Sequence, residues 1–224
     1  MILVAGTTYR SGTTLIQRLL NCSEECLIYG EDNCILNVID SHLLHIVRSQ
    51  KRSEVQLQNF LKNKNSFSAN MLPNIDHVVE CWKTYLKNLY GPSKKSGFKV
   101  ISPSTRNIET FLSFFKNDAK VVLMYRNLHE AYDSYKNIYN WIDRKTFFSY
   151  FQRSSNLLRV SLKGHPNIFP INYSEISVQK INELFDWLEI DNRSNIEKVL
   201  SSKIREMDNF DKDDKELNYL KVIQ

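Results

Sequence analysis

Short apolar runs alternate along this chain with longer segments whose apolar positions have a helical spacing. Five of the runs are rich in β-branched or aromatic residues, as buried strands are: 2–5, 26–29, 98–101, 121–125 and 168–172. Strands that alternate with helices usually form a parallel sheet with helices on both faces. The pattern therefore predicts an α/β fold of three layers, with a central, mainly parallel sheet of about five strands.

Two predicted helices directly follow strands of this set. Leu15, Leu19 and Leu20 can form an apolar stripe after the first strand, and a second helix begins near Leu128, with Tyr132 one turn later. Both helices leave the carboxyl end of a strand. Open α/β sheets bind their ligands at that edge, so we expect the functional residues there.

The segment at about 33–95 has helical patterns and no convincing strand. We therefore expect a helical insertion between the second and third strands. The chain has 224 residues, of which 42% are hydrophobic, and this size suits one compact unit. We predict a single domain that covers 1–224 and carries the insertion.

The charge and composition exclude several classes of protein. A net charge of +5 favours anionic ligands, but it is too small to indicate a surface that wraps nucleic acid. The apolar runs are too short for a membrane span and no signal peptide follows Met1, so a cytoplasmic protein is expected. The four cysteines lack the CxxC spacing of a zinc site, and no metal is expected.

A loop with the composition of an anion site joins the first strand to the first helix. Residues 6–14 read GTTYRSGTT. Gly12 permits a backbone bend, successive N–H groups can turn inward, and the helix amino end adds a partial positive charge. Arg10 adds a full charge, and three residues supply short hydroxyl donors: Ser11, Thr13 and Thr14. A turn that merely caps the helix is the simpler alternative.

This loop differs from the usual loop of nucleoside-triphosphate enzymes. That motif reads GxxxxGK[ST], whereas five residues separate Gly6 from Gly12 here, and Thr13 stands where the lysine is required. The difference argues against a kinase or an ATPase. A P-loop nucleotide kinase or other phosphotransferase stays as an alternative function.

Residues 9–15, YRSGTTL, resemble the 5′-phosphosulfate loop of sulfotransferases that use PAPS (3′-phosphoadenosine 5′-phosphosulfate). The arginine before Ser-Gly-Thr-Thr is similar to the Golgi tyrosylprotein and bacterial branches, since cytosolic sulfotransferases usually have lysine there. The resemblance implies a P-loop-type fold, PAPS as co-substrate and PAP (3′-phosphoadenosine 5′-phosphate) as product. It also implies that Arg10 contacts the phosphosulfate and helps to carry the negative charge that grows on the bridging oxygen. The other nucleotide-binding residues that it implies in this loop are Ser11, Gly12, Thr13 and Thr14.

A second element resembles the 3′-phosphate site of the same family. Arg126 ends the predicted fourth strand, and Ser134 lies eight positions later in the following helix. A planar guanidinium can fork onto phosphate oxygens, and a serine hydroxyl can donate a further hydrogen bond. Taken singly, a strand-end arginine is more often part of a surface ion pair, and a helical serine is often merely tolerated.

Two further positions bear on the nucleotide site. Residues 97–100, GFKV, resemble a strand that brings a lysine toward the sulfuryl group in several bacterial and carbohydrate sulfotransferases, although Lys99 could equally be a surface lysine. Many family members close a basic, glycine-containing segment over the 3′-phosphate near the C-terminus. Only Lys203 and Arg205 could replace it here. This departure leaves open a nucleotide-binding relative without catalysis.

The transfer also needs a base for the acceptor's proton. Cytosolic sulfotransferases place a histidine after the third strand, but this chain continues there with Ser102. The arginine-loop branch instead uses an acidic residue after the second strand. Glu31 follows Arg10 at a similar spacing, with Asp32 as its nearest rival. A Gly-Glu-Asp surface turn is the alternative explanation.

The resemblance thus predicts a sulfotransferase that transfers the sulfuryl group of PAPS in line to a hydroxyl or amine, with an acidic general base. The predicted catalytic residues are Glu31 and Arg10. The acceptor's class stays open, because residues 33–95 are outside the resemblance; carbohydrate, peptide, lipid and small metabolite are all compatible.

Overall fold

The computed structural model describes most of the chain in six segments: 1–31, 35–63, 75–91, 95–139, 141–193 and 195–202. Side chains are described throughout these segments except at 50–63. Three residues that the sequence singled out lie outside the described residues: Asp32, Lys203 and Arg205.

Five parallel strands form one sheet in the order β2-β3-β1-β4-β5. The strands are β1 (Ile2–Gly6), β2 (Cys26–Glu31), β3 (Lys95–Ile101), β4 (Lys120–Tyr125) and β5 (Ile168–Asn172). The loop that begins after β1 therefore lies at the centre of the sheet. The predicted α/β fold with a parallel sheet of five strands is confirmed.

Four strands are longer than the sequence predicted, and β2 and β3 are longer by more than one residue. Glu31 is the last residue of β2 and pairs with Lys99 of β3, whereas we had expected it to follow the strand. Strand β3 begins at Lys95 and includes Gly97, a residue that usually weakens strands. Gly97 is accommodated because the backbone of Ile2 passes so close that any Cβ would overlap its carbonyl oxygen.

Eight α-helices are described. They are α1 (Thr13–Leu20), α2 (Ile35–Asn63), α3 (Ile75–Tyr90), α4 (Thr105–Phe115), α5 (Leu128–Lys136), α6 (Arg144–Ser161), α7 (Val178–Trp187) and α8 (Ile196–Ser201). Helices α2 and α3 account for the described part of 33–95 except Gly91 and Lys95, and Lys95 already begins β3. Within the described segments, no helix combines the length and apolar character that a membrane crossing needs.

The helices cover both faces of the sheet. Successive side chains of a strand point to opposite faces, so Leu3 and Ala5 pack with α2, α3, α4 and α6, while Ile2 and Val4 pack with α1, α7 and α8. A third cluster joins α5 and α6 to Tyr9 of the central loop. The three layers therefore leave the carboxyl edge of the sheet to the loops.

The buried stripe of α1 differs by one position from the prediction. Ile16, Leu19 and Leu20 are fully buried, whereas Leu15 is only half-buried. Positions i, i+3 and i+4 share one helix face, and burial of a large aliphatic side chain contributes about 1.5–3 kcal/mol. This face anchors α1 on the sheet and so fixes the central loop that leads into it.

Cys26 should resist alkylation in the folded protein. Burial raises the pKa of its thiol from the ordinary 9.0 to about 12, and the thiolate is the reactive form. Cys81 is exposed and serves as the internal control. At about pH 8 we expect iodoacetamide to label Cys81 readily and Cys26 only after denaturation, as measured by peptide mass spectrometry. Equal labelling rates in the native protein would contradict this assignment of Cys26 to the core.

Candidate active site

The central loop after β1 folds back on itself by means of two left-handed residues. Arg10 has φ of 62° and Gly12 has φ of 101°. Gly6 and Gly12 have no room for a side chain, because a Cβ would overlap Ser11 Oγ at Gly6 and the ring of Tyr173 at Gly12. Both glycines are therefore required by the close turn, which orients successive backbone N–H groups as anion-binding loops do.

The interior of this loop contains hydroxyl groups that lack a protein partner. Ser11 is 1% exposed, and among the described residues neither its Oγ nor Thr7 Oγ1 has a hydrogen-bond partner. Gly12 caps α1 without a side-chain hydrogen bond, which leaves the amino end of this helix open. Buried polar groups without partners are costly, and an anion at the helix amino end would satisfy them.

Arg10 connects the loop to the two elements beside it. Its Nε donates to Ser134 Oγ in α5 at 3.2 Å, and its carbonyl oxygen accepts a hydrogen bond from Arg126 at 3.0 Å. The sequence suggested that Arg126 and Ser134 act as a pair. The structure instead places each against a different part of Arg10, so the three predicted residues converge around the loop.

Arg126 is held by contacts on several sides. Its guanidinium lies 4.0 Å from the ring centroid of Tyr173, and its Nε lies 3.6 Å from a carboxylate oxygen of Glu130. That Nε is buried and has no hydrogen-bond partner among the described residues, since 3.6 Å is an ion-pair distance. Stacking on an aromatic ring fixes the plane of a guanidinium, so Arg126 is oriented before any ligand binds.

Lys99 joins the predicted base to the loop. Its Nζ lies 3.2 Å from Glu31 Oε1 and donates to Thr14 Oγ1 at 2.9 Å. The lysine side chain is 8% exposed and that of Glu31 is 40% exposed. Lys99 is therefore no surface lysine. A buried ammonium group requires a charged partner, and Glu31 supplies it while keeping one side open to solvent.

Sequence reasoning missed the contact of Tyr173 with Arg126 and gave the turn that contains this tyrosine no place in the site. This turn, Tyr173–Glu175, follows β5 directly. An aromatic residue at the carboxyl end of a strand beside the arginine-bearing strand was the available signal. The neighbouring strands place such a residue at the ligand-binding edge.

Comparison with known proteins identifies one family for this chain. The model of the sulfotransferase family matches residues 2–159. This span contains the central loop, Glu31, Lys99 and both residues of the second element, Arg126 and Ser134. A comparison with curated proteins gave no significant match.

Several solved structures are similar to this chain. Sulfotransferase STF1 from Mycobacterium tuberculosis H37Rv is 10% identical with a TM-score of 0.46, and the alignment covers 90% of this chain and 70% of STF1. Sulfotransferase STF9 from Mycobacterium avium is 15% identical with a TM-score of 0.44, and the alignment covers 88% of this chain and 66% of STF9. A sugar kinase from Janibacter sp. HTCC2649 is 10% identical with a TM-score of 0.43, and the alignment covers 84% of this chain and 94% of the kinase. None of the three resembles the chain closely enough to indicate its activity.

Proposed function

We propose that this chain, which belongs to the sulfotransferase family, transfers the sulfuryl group of PAPS to a hydroxyl or amine acceptor. The observation that carries the proposal is the convergence of Arg126 and Ser134 on Arg10. The cationic side chains of Arg10 and Arg126 thereby lie at one glycine-containing loop, and this arrangement suits a ligand with two separate anionic groups.

The loop is suited to the 5′-phosphosulfate end of the nucleotide. Its glycines leave space where side chains would otherwise lie, and the buried Oγ of Ser11 lacks a protein partner among the described residues. Thr13 and Thr14 begin α1, whose uncapped amino end favours an anion. These features fit a bound phosphosulfate. Arg126 and Ser134 would hold the 3′-phosphate.

PAPS supplies an activated sulfuryl group whose bond to the bridging oxygen breaks as the acceptor's oxygen or nitrogen bonds to sulfur, with PAP as the leaving group. The chain's own contribution is positioning and charge stabilisation. Glu31 takes up the acceptor's proton. Arg10 and Lys99 stabilise the negative charge on the bridging oxygen, and Lys99 also keeps the Glu31 carboxylate directed at the loop.

A binding experiment separates this function from a nucleotide kinase. A ligand that binds only the folded state raises the melting temperature by mass action. We expect PAP to raise it and ATP with Mg²⁺ to leave it nearly unchanged at the same concentration. The opposite order of the two shifts would favour the kinase. Binding of PAP with no sulfated product from any acceptor would favour a relative without catalysis.

Arg126→Ala should weaken PAP binding by about 2–4 kcal/mol, the cost of removing one partner of a desolvated charge pair. Adenosine 5′-phosphosulfate, which lacks the 3′-phosphate, should lose little affinity. Calorimetry with both nucleotides measures the difference. Arg193→Ala, which removes a surface ion pair with Asp186, is the matched control. An equal loss for both nucleotides would assign Arg126 to loop structure through its bond to Arg10.

A further inference from the structure

A cavity of about 580 Å³ opens beside the central loop. Four segments of the chain line it: Tyr9 of the loop, the start of α2, residues 100–107 from the end of β3 into α4, and residues 141–151. Tyr9 immediately precedes Arg10, so the cavity adjoins the loop proposed to hold the sulfuryl group. A volume of this size suits a small organic molecule.

The walls of the cavity are mainly apolar. The aromatic lining residues are Tyr9, Trp141, Tyr150 and Phe151, and five of the nine other lining residues are aliphatic. No described lining residue carries a charge. A charged group would lose its hydration here without gaining an opposite charge, which disfavours an ionic molecule.

Part of the cavity's polar lining is already engaged within the protein. Outside the aromatic set, four lining residues have polar side chains: Asn37, Ser102, Asn107 and Thr146. The amide of Asn107 is bonded to Asp40 and Ser104, and the Thr146 hydroxyl donates to Asp143. A saccharide presents several hydroxyls, and each one left unpaired on burial costs free energy. A flat ring with a single hydroxyl instead stacks on aromatic walls and needs few polar partners.

We propose that this cavity binds the sulfuryl acceptor and that the acceptor is an uncharged phenol; this proposal rests on the function proposed above. The phenolic oxygen forms the new bond to sulfur while the bond from sulfur to the bridging oxygen of PAPS breaks. The phenolic proton passes to Glu31 and PAP leaves. A phenol, with a pKa of about 10, releases this proton more readily than an aliphatic alcohol does.

The aromatic contacts connect the acceptor to the loop. Tyr9 packs edge-on against Phe151 at 5.2 Å between ring centroids and stacks on the buried Tyr135 at 5.9 Å. Trp141 is 69% exposed and Tyr150 is 68% exposed, so the cavity's rim presents two large rings to solvent. An aromatic acceptor can therefore pass from the rim to Tyr9 along one continuous aromatic wall.

A panel of matched acceptors tests whether the acceptor is an uncharged phenol. The comparison acceptors are 6-hydroxy-2-naphthoate, which adds a carboxylate to 2-naphthol, and methyl glucoside, which replaces the ring with a saccharide. With PAPS and the full chain, we expect kcat/KM for sulfation of 2-naphthol to be at least about tenfold above the value for either of them. Mass spectrometry of the products measures all three. Preference for the anionic naphthol or for the glucoside would overturn the proposal.

A matched pair of variants tests the site by itself. Ser102 lines the cavity with φ of 52°, a backbone conformation that asparagine and aspartate both tolerate. Ser102→Asp should raise the Kd of 2-naphthol at least about tenfold over Ser102→Asn, because the two differ mainly by one charge. Calorimetry without nucleotide measures both. Equal Kd values would show that the phenol does not bind in this cavity.

The same titrations distinguish the two proposals. If 2-naphthol binds and PAP does not, the proposed function fails and the cavity's preference stands. If PAP binds and 2-naphthol does not, the acceptor proposal fails and the nucleotide site stands. Both ligands are titrated against the wild-type chain, and each variant's melting temperature establishes that it is folded.

Discussion

Glu31→Gln should slow the chemical step by about 100- to 10,000-fold, the usual range for the loss of a general base. The amide keeps the shape of the side chain and can still accept a hydrogen bond from Lys99, which lies 3.2 Å from the carboxylate. It cannot take up a proton as a carboxylate does. Single-turnover experiments with PAPS and acceptor should therefore show the loss, while PAP binding persists.

The Glu31 prediction needs a control because the substitution also leaves the buried Lys99 without its charged partner. Glu80→Gln breaks an exposed ion pair between a glutamate and a lysine in α3, and we expect it to react at the wild-type rate. The melting temperature of Glu31→Gln reports any stability that is lost because Lys99 has no charged partner. If Glu31→Gln reacts normally and Asp32→Asn abolishes the step, Asp32 is the base.

The sheet could be predicted from the sequence because strands buried on both faces have continuous apolar runs. All five runs form strands, and the two ligand loops leave adjacent strands, β1 and β4. Adjacent parallel strands bring their carboxyl ends together, so the proximity of Arg10 and Arg126 follows from strand order. The particular bond between them does not, because side-chain conformations depend on packing from Ser134 and Tyr173.

Two parts of the candidate site depend on tertiary structure that no local pattern specifies. Glu31 faces Lys99 only because the pairing of β2 with β3 shifts register between Tyr29 and Glu31. A register shift of one residue reverses which face a side chain occupies. The acceptor cavity is likewise assembled from four separated segments, and its apolar character emerges only once they meet.

Arg10→Ala should lower kcat by about 100- to 1,000-fold, the range for losing one preorganised group that stabilises developing charge. The affinity for PAP should fall much less, because PAP lacks the sulfuryl group and Arg126 still holds the 3′-phosphate. The loop should keep its position, since Arg126 bonds to the backbone carbonyl of residue 10, which alanine retains. Steady-state kinetics and calorimetry with PAP measure the two effects separately.

Two companion variants separate the charge of Arg10 from its contact with α5. Arg10→Lys retains the positive charge but loses the Nε that donates to Ser134, so its kcat should lie between wild type and Arg10→Ala. Ser134→Ala leaves the arginine in place and removes the hydroxyl that orients it, and we expect a smaller loss than for Arg10→Ala. If Arg10→Ala lowers PAP affinity as strongly as it lowers kcat, the arginine acts in ground-state binding. An unchanged kcat would remove it from the transfer step, because stabilisation that grows toward the transition state must appear in kcat.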